Sequence, residues 1–318
     1  MRVWRFLAFV FLVAALAAHA QEYPSRPIRL ITPAAPGGTT DLLARLFGAK
    51  LGEIFGQQII VENRASASGV IAGEMTAKAP PDGYTLLLAY HQHTINAALN
   101  ANLPYHPVND FTPITQLTRA GLLLVLNPSS PPRTLQQFVE WTRKRSGELN
   151  YGSAGLGSGG HLAGELYKQM AGIKAEHIPY KGSGPALMDL IGGRYDYNFA
   201  GLQAAQTQVR SGKLRALAVT TPQRVPALPD IPAVAEALPG YEVVGWYGVV
   251  GPAGMRAPLV ERLHDELVRV LGQADVRERI LNDGSEPVGN TPREFRDFMA
   301  ADLAKWAKVV KESGAKFE

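Results

Sequence analysis

Short apolar runs alternating with glycine-rich turns and helical patterns constrain this chain more than any single motif. Ile28-Arg29-Leu30-Ile31-Thr32 reads as a strand, PAAPGGTT as a turn, and Asp41 to Leu51 carries apolar residues at helical spacing. Gln58 to Glu62 repeats the strand pattern, followed by a Ser/Gly turn and a helix over Gly69 to Ala79. Pro80-Pro81-Asp82-Gly83 is turn chemistry, and Tyr84 to Ala89 is a third strand. Strands alternating with helices predict βαβ units on a parallel sheet.

The rhythm restarts after Leu122 to Leu126, and Thr134 with Gln137 forms a capping box opening a helix. Strands are predicted at Leu149 to Ser153, Ala175 to Ile178, Tyr195 to Phe199 and Arg215 to Thr220. Helices are predicted at Gly160 to Met170, Gly184 to Ile191 and Leu202 to Ser211. Pro222 to Pro239 is too proline-rich for either element, and Val243 to Val250 is a β-like return segment. Closing helices run from Pro258 to Leu271 and from Pro292 to Val310, the second started by Thr291-Pro292-Arg293-Glu294. Two α/β blocks with a late return predict an α/β fold of two lobes joined by two crossings, near Ala120 to Leu122 and near Val244 to Trp246. The expected boundaries are 21–121 with 246–318 for lobe 1 and 122–245 for lobe 2.

Residues 1–20 read differently. Arg2 and Arg5 precede an apolar run from Phe6 to Ala18, and Ala18-His19-Ala20 has the small residues of a cleavage site before Gln21. The run is shorter than the roughly 20 residues of a spanning helix, so a cleaved signal peptide and an exported protein are expected. Removing the leader lowers the formal charge from +4 to +2, and with no Lys/Arg-rich run nucleic acid is not an expected partner. The chain has no cysteine, which excludes disulfides, thiol nucleophiles and cysteine zinc sites.

NYGSAGLGSGGHLAGEL at Asn150 to Leu166 contains G-x-G-x-x-G at Gly155, Gly157 and Gly160, with Glu176 downstream. That is the spacing of a dinucleotide loop. Its mid-chain position, the export signal and the added hydroxyls of Ser153 and Ser158 favour two other readings. One is a turn that needs positive φ. The other, preferred here, is an anion site of helix N-terminal N–H groups and serine hydroxyls. Gly37-Gly38-Thr39-Thr40-Asp41 and Tyr180-Lys181-Gly182-Ser183 are loops of the same chemistry. Loops at the carboxyl ends of parallel strands are where open α/β sheets bind ligands, so three of them point to one anion held between the lobes.

No G-x-S-x-G or H-E-x-x-H occurs. Ser153 or Ser158 with His161 leaves a hydrolase of unlisted type as an alternative. His91-Gln92-His93 on a strand end could present two imidazoles to a metal, but no carboxylate co-ligands stand at metal spacing. His91 is therefore expected as a polar loop residue near the ligand and His93 at the surface, with no metal and no cofactor. Asp196 either faces the cleft or serves a turn. Trp246 and Tyr247 are either hinge packing or a ligand platform.

YPSRPIRLITPAAPGGTTD at Tyr23 to Asp41, VENR at Val61 to Arg64 and PDGYTLL at Pro81 to Leu87 resemble the exported receptors of tripartite tricarboxylate transporters, the Bug proteins. So do YGSAGLGSGGHLAGE at Tyr151 to Glu165, IPYKGSGPALMDLIGG at Ile178 to Gly193 and ALAVTTPQRVPALPDIP at Ala216 to Pro232. The resemblance implies a two-lobed periplasmic binding protein of the type II-like, Venus-flytrap kind, with parallel-rich sheets flanked by helices. It implies a monomer that closes on a small carboxylate and delivers it to integral-membrane transporter subunits. Di- or tricarboxylates, amino acids and aromatic acids all remain as ligand classes, and a sensory role remains as an alternative to transport. Binding residues carried over are Gly37 to Asp41, Ser153 to His161, Tyr180 and Gly182, and Asp196. Ala34, where the family often has an aromatic residue, and Ala65-Ser66-Ala67-Ser68 depart from the family pattern.

Overall fold

The computed structural model describes residues 23–33, 36, 39–66, 69–100, 102–180, 182–226, 228–282 and 284–313. The leader expected at 1–20, Ala34, Gly37, Gly38, Ala67, Ser68 and Lys181 lie outside them.

The first block is β1 (Ile28–Thr32), α1 (Thr39–Phe55), β2 (Ile59–Asn63), α2 (Val70–Ala77), β3 (Thr85–Tyr90) and α3 (Gln92–Leu99). The long β4 (Phe111–Leu126) leads into α4 (Leu135–Lys144), β5 (Leu149–Ser153), α5 (Gly159–Ala171), β6 (Ala175–Pro179) and α6 (Ser183–Ile191). There follow β7 (Tyr197–Gly201), α7 (Leu202–Arg210) and β8 (Arg215–Val219). The chain returns through β9 (Val244–Pro252), α8 (Ala257–Leu271), α9 (Ala274–Asn282), β10 (Glu286–Pro287) and α10 (Pro292–Ser313).

The strand order is β2-β1-β3-β9-β4-β7-β5-β6, with β8 and β10 also beside β4. Pairing is parallel within β2-β1-β3 and within β7-β5-β6. The two strands that join these triplets, β4 and β9, run antiparallel to their neighbours. The sheet is thus mixed at its centre, where the return segment has to run back along β4. Phe111 to Gly121 pairs with β9, whereas Leu122 to Leu126 pairs with β7 on one side and Leu123 to Leu126 with β8 on the other. The register of β4 slips between Pro113 and Thr115 and again between Gln116 and Thr118. Pro113 has no N–H to give a ladder, and the Asn290 side chain accepts from Gln116 N at 2.9 Å where pairing lapses.

The first block is filled by apolar faces of β1, β3, α1 and α8 around Leu30, Phe47, Leu88, Leu263 and Leu267. The second is filled by α4, α5, β5 and β7 around Phe138, Tyr151, Tyr167 and Tyr197. Ile95 of α3 and Trp306 and Val309 of α10 belong to this second cluster, although they lie outside 122–245 in sequence. A buried carboxylate holds that bridge: Asp302 accepts from Thr94 Oγ1 (2.6 Å), Trp246 Nε1 (3.0 Å) and Trp306 Nε1 (2.9 Å). Thr134 Oγ1 accepts from Gln137 N and Thr291 Oγ1 from Glu294 N; Glu294 completes its box by accepting from Thr291 N, whereas Gln137 Oε1 accepts from Arg133 N, one residue before the cap.

His93 corrects the surface placement expected for it. It lies within α3 rather than on a strand end, 4 % exposed, with Nε2 2.9 Å from Pro107 O and its ring stacked on Tyr105. Burial lowers its pKa to about 4. Among the described residues, no group of three His, Asp or Glu side chains is placed to hold a metal ion.

Candidate functional site

A cavity of about 370 Å³ opens where the carboxyl ends of the strands meet the crossing segments of β4 and β9. Among the described residues, five helices begin at its wall. Thr39 starts α1, His91 is the N-cap of α3, and Ser158 is the N-cap of α5, followed by Gly159 and Gly160. Ser183 starts α6, and Gly201 is the N-cap of α7. The first N–H groups of a helix lack intrahelical partners, and its dipole leaves partial positive charge there. No Lys, Arg, Asp or Glu among the described residues lines the cavity. An anion placed there meets oriented neutral donors rather than a counter-ion.

The β5–α5 loop owes its shape to its glycines and its first serine. Gly155 (φ +134°) and Gly157 (φ +73°) sit where L side chains are strained, and a Cβ on Gly155 would lie 3.0 Å from Tyr180 O. Ser153 Oγ donates to Gly155 O (2.9 Å), accepts from Gly155 N (3.1 Å) and lies 2.7 Å from His177 Nε2. It is fully buried and does not reach the cavity. His161 Nδ1 accepts from Gly157 N at 3.0 Å, and its ring stacks on His177 at 4.0 Å. Burial, helped by the Lys168 charge, lowers His161 to about 4. Burial and the neighbouring His161 lower His177 to about 3, so both imidazoles are neutral at pH 7. Ser158 Oγ accepts from His161 N at 3.3 Å, which leaves the Ser158 hydroxyl proton to the cavity.

The neighbouring loop is tied to this one through Tyr180 N to Ser153 O and Gly182 N to Ala154 O, both 3.0 Å. The Tyr180 hydroxyl donates to Asp189 at 2.9 Å, away from the cavity wall. Thr40 and Asp41 are buried behind Thr39. Asp41 accepts from Asn63 Nδ2 (2.9 Å) and Arg45 Nε (3.0 Å), which fastens the start of α1 to the end of β2. Asp196 precedes β7, whereas the cavity lies at that strand's far end. Its carboxylate accepts from Asn150 N (2.8 Å) and sits 3.6 Å from Arg145. The structure therefore gathers Thr39, His91 and Ser158 at the cavity, and gives Asp41, Ser153 and Asp196 partners elsewhere.

The crossing strand separates the two aromatic residues left open above. Tyr247 lines the cavity, its hydroxyl against the Thr39 hydroxyl and its ring stacked on Tyr90. Trp246 points the other way, to Asp302. His91 Nδ1 is buried beside Gly245 without a protein partner, and burial lowers its pKa to about 4. Sequence reasoning missed Phe199, Val243 and Trp306 in the wall, since apolar lining residues have no local signature, and Asn198, a single polar residue inside a strand. It placed a helix from Leu202 but did not count its start as part of the site, though a strand running directly into a helix at Gly201-Leu202 is the same signal that marked the other loops.

Two α/β lobes enclosing a neutral, dipole-lined cavity define a two-lobed solute-binding protein. Residues 43–315 match the tripartite tricarboxylate transporter family receptor description, and the chain belongs to that family. Protein BugT of Bordetella pertussis is 36% identical over 326 residues, covering 100% of both chains. An R. palustris protein solved with adipate is 38% identical (92% of this chain, 99% of that one, TM-score 0.77). MatC from Rhodopseudomonas palustris with bound malate is 33% identical (91% and 100%, TM-score 0.73).

Proposed function

We propose that the chain captures a small carboxylate in this cavity, in the periplasm, and hands it as a monomer to the membrane subunits of a tripartite-type transporter. The lobes that close are 21–121 with 246–318 and 122–245, and the leader is removed before Gln21. The observation that carries the reading is the convergence of five helix N-termini on a cavity lined by no charged side chain among the described residues. The adipate and malate bound by the two relatives support it. Each hydrogen bond to a charged acceptor contributes about 1.5–3 kcal/mol, so three or four offset association costs and reach about −8 kcal/mol, micromolar binding. Thr39, His91, Ser158 and the N–H groups of Gly159 and Gly160 supply them. Gly37 and Gly38 join them by resemblance alone, while Ser153, Gly155, Gly157, His161, Tyr180 and Gly182 shape the loops.

Calorimetry on the mature protein, with a panel of mono-, di- and tricarboxylates and their matched amides, tests the reading. Acids should bind, amides should not, and Ser158→Ala should weaken the best acid about ten-fold. Equal binding of acid and amide would overturn it.

A further inference from the structure

The ligand's body leaves as clear a mark on the wall as its charge does. We propose that this cavity selects a carboxylate with a hydrocarbon body and no amino group. The inference rests on the carboxylate reading above and narrows it.

Ile95, Leu122, Phe199, Val243 and Trp306 all line the cavity and all pack in one hydrophobic cluster, so they form a continuous apolar face. That face is preset. Trp306 Nε1 is held by Asp302 at 2.9 Å, which turns the indole's polar edge away from the cavity and leaves its carbon surface to the wall. Aromatic surface of this kind favours stacking and apolar contact. The polar groups stand apart from it at the helix starts, and the other polar side chains of the wall among the described residues are Asn198, Tyr247 and Ser285. The Asn198 amide already donates to Tyr195 Oη at 2.8 Å, and the Tyr247 hydroxyl meets Thr39.

An ammonium group fares badly in such a site. Among the described residues no carboxylate lines the cavity. Asp302 has both oxygens taken by the two indoles and Thr94, and Asp41 and Asp196 are satisfied elsewhere. The same helix N-termini that favour the carboxylate repel a cation, and a desolvated charge without a partner is strongly penalised. Hydroxyl groups along the body would likewise be stripped of water against hydrocarbon.

Three acids separate these outcomes on the purified mature protein: 3-phenylpropanoate, L-phenylalanine, which adds only the ammonium, and malate, whose short body carries a hydroxyl. Calorimetry should show 3-phenylpropanoate binding at least ten-fold more tightly than either of the others. Val243→Thr, which puts a hydroxyl on the apolar face at nearly constant volume, should narrow its margin over malate several-fold, with the melting temperature confirming the fold. Phenylalanine or malate binding as tightly as 3-phenylpropanoate overturns the inference and leaves the carboxylate receptor standing. An unchanged margin in Val243→Thr overturns the role given to the wall, and no binding of any of the three acids overturns both readings.

Discussion

Replacing Asp302 by asparagine tests whether the buried carboxylate holds the cavity's tryptophan in place. Its two oxygens serve three donors, Trp306 on one and Thr94 with Trp246 on the other, and the Lys305 ammonium stands 3.6 Å from the oxygen that Trp306 uses. An amide of the same shape has one oxygen and one NH₂ group. Its best orientation keeps the oxygen on Thr94 and Trp246 and turns NH₂ towards the Trp306 indole N–H, donor against donor. Leaving that N–H unsatisfied costs about 1–3 kcal/mol, and the two surviving bonds fall from charged to neutral strength, about 1 kcal/mol each. Relief from burying a charge offsets part of the loss. The expected net destabilisation is about 2–4 kcal/mol, which at roughly 2–4 °C per kcal/mol lowers the melting point by about 10 °C. Chemical denaturation measures the loss, and near-ultraviolet circular dichroism should show the change in indole packing. A loss below about 1 kcal/mol, or a gain, would show that the charge's desolvation outweighs its hydrogen bonds and that Asp302 does not hold Trp306 in place.

Gly164→Ala should destabilise by about 2 kcal/mol, since the added Cβ would run into the buried Tyr151 ring and overpacking outweighs the gain in helix propensity. Gly192→Ala, at φ −75° with nothing nearer than 3.5 Å, should be neutral or slightly stabilising; urea midpoints of the two variants decide. Acid should unfold the protein steeply. The fold holds His91, His93 and His161 near 4 and His177 near 3, all below the unfolded value of about 6.5. Their contribution is therefore complete above pH 6.5 and is lost as pH falls towards 4, at about 1.4 kcal/mol per pH unit for each. Denaturation at pH 7 and pH 5 should show a loss of several kcal/mol, and equal stability at the two values would contradict the burial of these rings.

The βαβ rhythm was legible because strand, glycine turn and amphipathic helix each leave a local trace. Leu149–Ser153 is read to the residue, and α1, β2, α5 and α6 to within a few. What escaped has its pattern set from outside. The first half of β4, FTPITQLTRAG, is rich in threonine that the protein buries, with Asn290 covering its irregular N–H. The α3 helix begins His-Gln-His-Thr near its start and is held by α10 rather than by its own periodicity. The α9 helix, ADVRERILN, buries only Val276 and Ile280. At the site, glycine loops announced themselves, and Thr39 and Ser158 stand where such loops end. Asp41 entered through its loop and the resemblance and Asp196 as either a cleft or a turn residue, and the partners the fold brings them, Asn63, Arg45 and Arg145, leave no trace in the local sequence.

Trp306 and Val309 complete a core whose other members were laid down more than sixty residues earlier in the chain, Val243 being the nearest in sequence on that side. During synthesis, the part of that cluster ending at Val243 therefore emerges with a gap where those side chains belong. It cannot seal its interior until the final helix arrives. The same dependence makes the carboxyl-terminal helix a poor place for truncation: cutting before Trp306 removes two buried members of the Phe138–Tyr151–Tyr197 core along with the end of α10.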